Sequence, residues 1–90
     1  MNKHIFKYEL PITSYLIELE LPKNYAICDI QAIDDKIYLW ALIDIHEEKE
    51  KIYFKIYGTG HKILDFEHLY FIKTVVMPNK LVWHIFIEKH

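Results

Sequence analysis

The feature that most limits what this chain can fold into is a period of two, since apolar and polar residues alternate over most of its length in runs too short and too regular for helices. From Lys3 to Leu10, Phe6, Tyr8 and Leu10 fall on one side and Lys7 and Glu9 on the other, and Pro11 ends the run. Tyr15, Ile17, Leu19 and Leu21 then oppose Glu18 and Glu20, up to Pro22-Lys23-Asn24. Residues Ala26 to Ile33 alternate less cleanly: Ala26, Cys28, Ile30 and Ala32 make a small apolar face expected to point inward. Asp34-Asp35-Lys36 reads as a tight turn, because Asp tolerates turn conformations and bonds its own following backbone. Ile37 to Ile43, around Trp40, is apolar on both faces, as a central strand covered on both sides would be.

Asp44 ends that run, and His46 to Lys51 reads as a solvated charged loop. Ile52, Phe54 and Ile56 against Tyr53, Lys55 and Tyr57 form a fifth strand. Lys62 to His68 reads as a helical turn or a packed loop. Leu69 to Met77 is rich in β-formers, Pro78-Asn79 suits the middle of a turn, and Leu81 to Glu88 places Trp83, Ile85 and Ile87 opposite Val82, His84 and Phe86. About seven short strands at regular spacing, with at most one short helical turn, predict an all-β, mainly antiparallel sandwich or barrel, one small domain over residues 1–90. Such a chain buries about 60% of its unfolded surface. With 52% hydrophobic residues, among them seven Tyr, five Phe and two Trp, it has the material for a core, and disorder is excluded as its main state. The strands around Trp40, Val75 and Trp83 are apolar on both faces, whereas a sandwich sheet has one inward face, so a homo-oligomer, a dimer or higher, is expected.

Composition narrows function. The net charge is −2 and all 11 basic residues are Lys. Without Arg the chain lacks the usual bidentate reader of phosphate and guanine, so no polynucleotide partner is expected. A small phosphorylated ligand stays open, because Lys, hydroxyls and backbone N–H groups hold phosphate as well. The single Cys28 forms no intramolecular disulfide, and on a small apolar face it reads as a buried structural thiol. The N-terminal residues lack the apolar core of a signal peptide, and no segment has the length of a membrane span; a cytoplasmic protein with no membrane partner is expected.

The only two glycines stand in Tyr57-Gly58-Thr59-Gly60-His61. Such a turn either serves strand geometry alone or forms a backbone nest for an anion, with Thr59, His61 and Lys62 as further donors. The candidate ligand-binding residues are therefore Tyr57, Gly58, Thr59, Gly60, His61 and Lys62, with Trp40, Tyr53, Tyr70 and His84 as stacking or pocket residues and Phe66 as a further nearby aromatic. Of the six histidines, His4, His46 and His90 read as exposed. His61, His68 and His84 match no recognised zinc spacing, and His84 reads as a core or interface residue with one satisfied hydrogen bond. No metal, cofactor or catalytic residue is expected, since no nucleophile and base pair is visible.

Lys7-Tyr8-Glu9-Leu10-Pro11, Leu39-Trp40-Ala41-Leu42-Ile43-Asp44, Tyr57-Gly58-Thr59-Gly60-His61, Tyr70-Phe71-Ile72-Lys73-Thr74 and Leu81-Val82-Trp83-His84-Ile85-Phe86 together resemble, over nearly the whole chain, a family of small uncharacterised proteins of tailed bacteriophages and prophages, a domain of unknown function. The family tends to have glycine at Lys73 and a glycine-rich turn at Met77-Pro78-Asn79-Lys80. The resemblance implies a phage accessory protein in the host bacterial cell, and by analogy with such proteins a non-enzymatic counter-defence role. The expected action is sequestration of a small nucleotide-type immune signal, in a pocket at the turn shared between subunits. The alternative is an anti-CRISPR-type protein inhibitor of a host defence complex, using acidic surface such as Asp34, Asp35, Glu47, Glu48 and Glu50.

Overall fold

The computed structural model describes residues 2–89. His90, expected at the surface, lies outside them. Seven strands follow in order: β1 (Lys3–Leu10), β2 (Ile17–Pro22), β3 (Ala26–Ile33), β4 (Lys36–Asp44), β5 (Lys49–Gly58), β6 (Leu69–Val76) and β7 (Val82–Glu88). A 3₁₀ turn, Phe66–His68, precedes β6. All pairings are antiparallel, in a three-stranded sheet β1-β4-β3 and a four-stranded sheet β2-β5-β7-β6. The fold is thus the sandwich of the two expected all-β forms.

The period of two builds the core directly. Leu10 and Ile30 join Ile37, Leu39, Ala41 and Ile43 of β4 from one sheet, and Ile17, Leu21, Ile52, Phe54, Ile56, Val75 and Ile85 face them from the other, all buried. β4 is the centre of its sheet, as expected, yet only its inward face is covered. On the outward face Tyr38, Trp40 and Leu42 are half-buried, with the Lys7 ammonium 4.7 Å from the Tyr38 ring centre. Strand limits also differ: Tyr15 precedes β2 and is 79% exposed, Leu81 precedes β7 and is exposed, and β5 begins at Lys49, within the expected charged loop, because Lys49 to Lys51 pair with the end of β2.

Cys28 is not buried. The β3–β4 register slips between Ile27 and Asp29, so Ile27 pairs with Ala41 and Asp29 with Trp40, leaving Cys28 as the extra residue of a bulge. The slip reverses the parity of the strand: Ile27 and Ile30 both pack on the core, while Ala26 and Cys28 face out. A second bulge, between Phe71 and Lys73, interrupts β6. The two bulged edges lie side by side, and the Lys73 ammonium donates to the Asp29 carboxylate across them. Gln31 Nε2 and the Ile30 N–H donate to the same carboxylate at 2.7 and 2.8 Å. The Lys73 bond first, then these two, hold Asp29 down at about 2 against an ordinary 3.8.

Candidate ligand-binding site

β5 carries the chain into the glycine turn on the far side of the four-stranded sheet from the core. The His61 N–H donates to the Gly58 carbonyl at 3.1 Å, closing a four-residue turn, and Gly60 has φ +88°, the left-handed value a type II turn requires at its third position. Gly58 has a different reason to be glycine. A Cβ there would meet His61 Cε1 at 2.9 Å, because the ring folds back over it and Nδ1 accepts the Gly58 N–H at 3.2 Å. That bond makes Nδ1 the acceptor of neutral His61 and leaves the proton on Nε2 as a donor.

These bonds reduce the nest. The Gly58 and His61 N–H groups are spent within the turn, while the Thr59 and Gly60 N–H groups have no hydrogen-bond partner among the described residues. Thr59 is fixed through its side chain instead, with Oγ1 2.7 Å from His84 Nε2, and the other ring nitrogen of His84 is 2.9 Å from Thr74 Oγ1. His84 therefore has two partners rather than the one expected. β7 places it there by register: Tyr57, His84 and Thr74 lie in one row across β5, β7 and β6 on the outward face. In neutral His84 one nitrogen donates and the other accepts, so one threonine hydroxyl keeps a proton to offer a ligand.

The next row on this face is Lys55, Phe86 and Phe71. Phe86 is only 4% exposed, although it points away from the main core. Tyr57 meets it edge-on at 5.8 Å between centroids and Phe71 at 5.5 Å, so three aromatic rings form a second small core under the turn segment. Among the described residues the Tyr57 hydroxyl, buried in this cluster, has no hydrogen-bond partner, and neither has Trp83 Nε1 on the inward side.

Two cavities adjoin along Tyr57 and His61. One, of about 290 Å³, is walled by the turn with Ile63, Phe71, His84 and Phe86, and is mostly aromatic. The other, of about 260 Å³, is walled by Ser14, Lys55, Lys62 and Leu64 and carries two ammonium groups. A third, of about 430 Å³, lies across the turn between Thr59, His61, Lys80 and Trp83.

The structure thus brings together Tyr57, Gly58, Thr59, Gly60, His61, Lys62 and His84. It leaves Trp40 on the outer face of the other sheet, Tyr70 exposed against the Lys89 ammonium at 4.8 Å, and Phe66 exposed; Tyr53 lies in β5 outside these cavity walls. His68 stands apart beside Glu67, and among the described residues no three His, Cys, Asp or Glu side chains cluster to hold a metal ion. Asp44 caps a turn, accepting the His46 N–H at 3.0 Å. Phe71, Phe86, Ile63 and Lys55 escaped the sequence reading, since their place depends on which strands pair. The cue was the alternation of His84 and Phe86 in β7.

A domain of unknown function (DUF7352) matches residues 1–90. The chain belongs to that family. No curated protein and no solved structure matches it. Among the described residues of this DUF7352 domain no helix is long and apolar enough to cross a membrane. Around the turn stand the Thr59 hydroxyl, two backbone N–H groups, the Nε2 of His61, the two lysines Lys55 and Lys62 and a wall of aromatic rings.

Proposed function

We propose that this domain is a non-enzymatic binding protein for a small phosphorylated ligand that carries a planar base, and that as a phage accessory protein it acts by sequestering such a nucleotide-type signal. The observation that carries this reading is the pair of cavities sharing Tyr57 and His61, one aromatic and one bearing Lys55 and Lys62. A base fits against Phe71 and Tyr57, where stacking contributes roughly 1 to 3 kcal/mol per base. The phosphate then meets the two ammonium groups, with His61 Nε2 between the two halves. The Tyr57 hydroxyl gains a partner it lacks among the described residues. Sequestration in a bacterial host is argued from the resemblance to phage proteins, and the reading needs no chemical step.

The test is thermal unfolding of the purified protein with cyclic dinucleotides, cyclic oligonucleotides and ADP-ribose derivatives, followed by chromatography of the recovered ligand. At a hundred times the dissociation constant a ligand adds about 2.7 kcal/mol, a clear rise in melting temperature for a domain this small. The expected result is a rise with one class, lost in Lys62→Glu and in Phe71→Ala, with the ligand recovered unchanged. Recovery of a broken ligand would make the protein an enzyme. A flat screen would leave the turn a structural hairpin.

A further inference from the structure

The strand edges of the two sheets differ in what they can accept. β3 and β6 are interrupted by bulges and tied to each other by Asp29 and Lys73, which spoils both as templates. β2 carries Glu18 and Glu20, and antiparallel pairing with a copy of itself sets glutamate opposite glutamate in each register that pairs more than half of the strand and keeps the inward face inward. β1 is an eight-residue edge strand whose register with β4 runs unbroken from Lys3 to Leu10. It also overhangs: β2 lies over β4, so β1 projects past the upper sheet, and Phe6 is 44% exposed although it points to the inward side. A cavity of about 280 Å³ opens beneath it, walled by Phe6, Tyr8, Pro22 and Ile43.

The geometry points to β1 as the site where a second copy of this chain adds, antiparallel, to form a continuous six-stranded sheet about a two-fold axis at Phe6. The backbone decides which residues take part. The Ile45 N–H donates to the Asn2 carbonyl at 3.2 Å, so the even-numbered residues of β1 bond to β4, and Lys3, Ile5, Lys7 and Glu9 turn their N–H and C=O groups to the open edge. With the axis at Phe6, Lys3 pairs with the partner's Glu9 and Ile5 with the partner's Lys7, as hydrogen-bonded pairs. Phe6 then meets the partner's Phe6 in a non-hydrogen-bonded pair, where side chains are closest. Moving the axis one residue toward the N-terminus sets Lys3 against the partner's Lys7. Moving it one residue the other way sets Lys7 against the partner's Lys7, and larger shifts leave about half the strand unpaired. Opposite charges therefore select one register. The interface is on the edge of the three-stranded sheet, and the glycine turn is on the outer face of the other, so this arrangement gives each subunit its own turn site.

Sedimentation equilibrium with charge-reversed variants tests it. The expected mass is twice the 11.0 kDa of the chain. Glu9→Lys and Glu9→Arg each shift the protein toward monomer with an unchanged circular dichroism spectrum, since each of the three registers then sets lysine against a like charge, and the double variant Lys3→Glu/Glu9→Lys returns it to dimer. Independently, in a Cys28→Ser background, Phe6→Cys oxidises to a covalent dimer faster than Ile12→Cys, a site of similar exposure. A monomeric wild type, a dimer indifferent to the single reversals, a double variant that stays monomeric, or equal oxidation rates would each overturn the assignment.

Discussion

Gly58 and Gly60 are two residues apart and glycine for unrelated reasons, and alanine separates the two. At Gly60 the backbone has φ +88° and a Cβ would meet nothing within 4 Å, so the cost is conformational alone. A left-handed conformation costs a non-glycine residue roughly 1 to 2 kcal/mol. The stiffer unfolded chain returns about 0.4 to 1 kcal/mol, which leaves a net loss of about 1 kcal/mol. At Gly58 the backbone is ordinary and the obstacle is the His61 ring, 2.9 to 3.4 Å from the Cβ position. His61 is exposed, so its ring gives way and the bond from the Gly58 N–H is lost. That bond contributes about 0.5 to 1.5 kcal/mol, nearly offset by the same gain in the unfolded chain. In a domain this small, 1 kcal/mol is roughly 4 to 8 °C. Differential scanning calorimetry should therefore find Gly60→Ala lowered by about 4 to 8 °C and Gly58→Ala changed by less. Imidazole nitrogen shifts by NMR should report the Nε2–H tautomer of His61 in Gly60→Ala and a tautomeric mixture in Gly58→Ala. A larger loss in Gly58→Ala, or a His61 ring unmoved by it, would refute the reasoning.

Two further outcomes follow from the same backbone and charge arguments. Lys80 has φ +71° in the turn that joins β6 to β7, where its N–H donates to the Met77 carbonyl at 2.8 Å, so Lys80→Gly should raise the melting temperature by a few degrees as left-handed strain is relieved; an unchanged or lowered value would contradict it. Asp29 is held at about 2 in the folded protein against 3.8 unfolded, so its contribution is present above pH 3.8 and fades as pH falls toward about 2. Urea midpoints measured across that window should fall less steeply in Lys73→Met than in the wild type, and equal slopes would remove Lys73 as the cause.

How far the residues revealed this fold is set by what alternation can encode. It marks a strand and its two faces, which is why seven runs were legible with limits close to the observed ones. It says nothing of partners, and a bulge breaks it without a signature of its own. Ala26 to Ile33 alternates imperfectly because one residue is extra, and on the sequence alone Cys28 falls on the inward side of that slip. Lys73 stands where the resemblance led to an expectation of glycine, and in the structure it answers Asp29 across the two bulged edges. Lys80 is the corresponding case in the last hairpin, a lysine in a conformation that glycine takes readily. The site was legible where chemistry is local, at the glycine turn and His84. It was illegible where it depends on register, since Phe71 and Phe86 join Tyr57 only once β6, β7 and β5 are aligned.

The apolar residues left over by a two-sheet sandwich illustrate the same limit from the side of energetics. β4 and β7 look alike as sequence, each with large side chains on both faces, and a single cause, a covering subunit, would account for both. In the structure their outer faces differ. Phe86 of β7 is covered by this chain's own Tyr57 and Phe71, beneath the segment that returns from the glycine turn, and needs no partner. Tyr38 and Trp40 of β4 meet each other, tilted at 6.3 Å, with the Lys7 ammonium above Tyr38 and polar Glu9, Asp29 and Gln31 as cross-strand neighbours. Val75 and Trp83 themselves pack on the main core, so they are no argument for an oligomer. Exposed apolar side chains are spread over both sheets, Ile5 and Ile33 on one and Tyr70, Phe71 and Val76 on the other, so the case for self-association rests on the β1 edge, with its one register of like faces and unlike charges, and not on the apolar count.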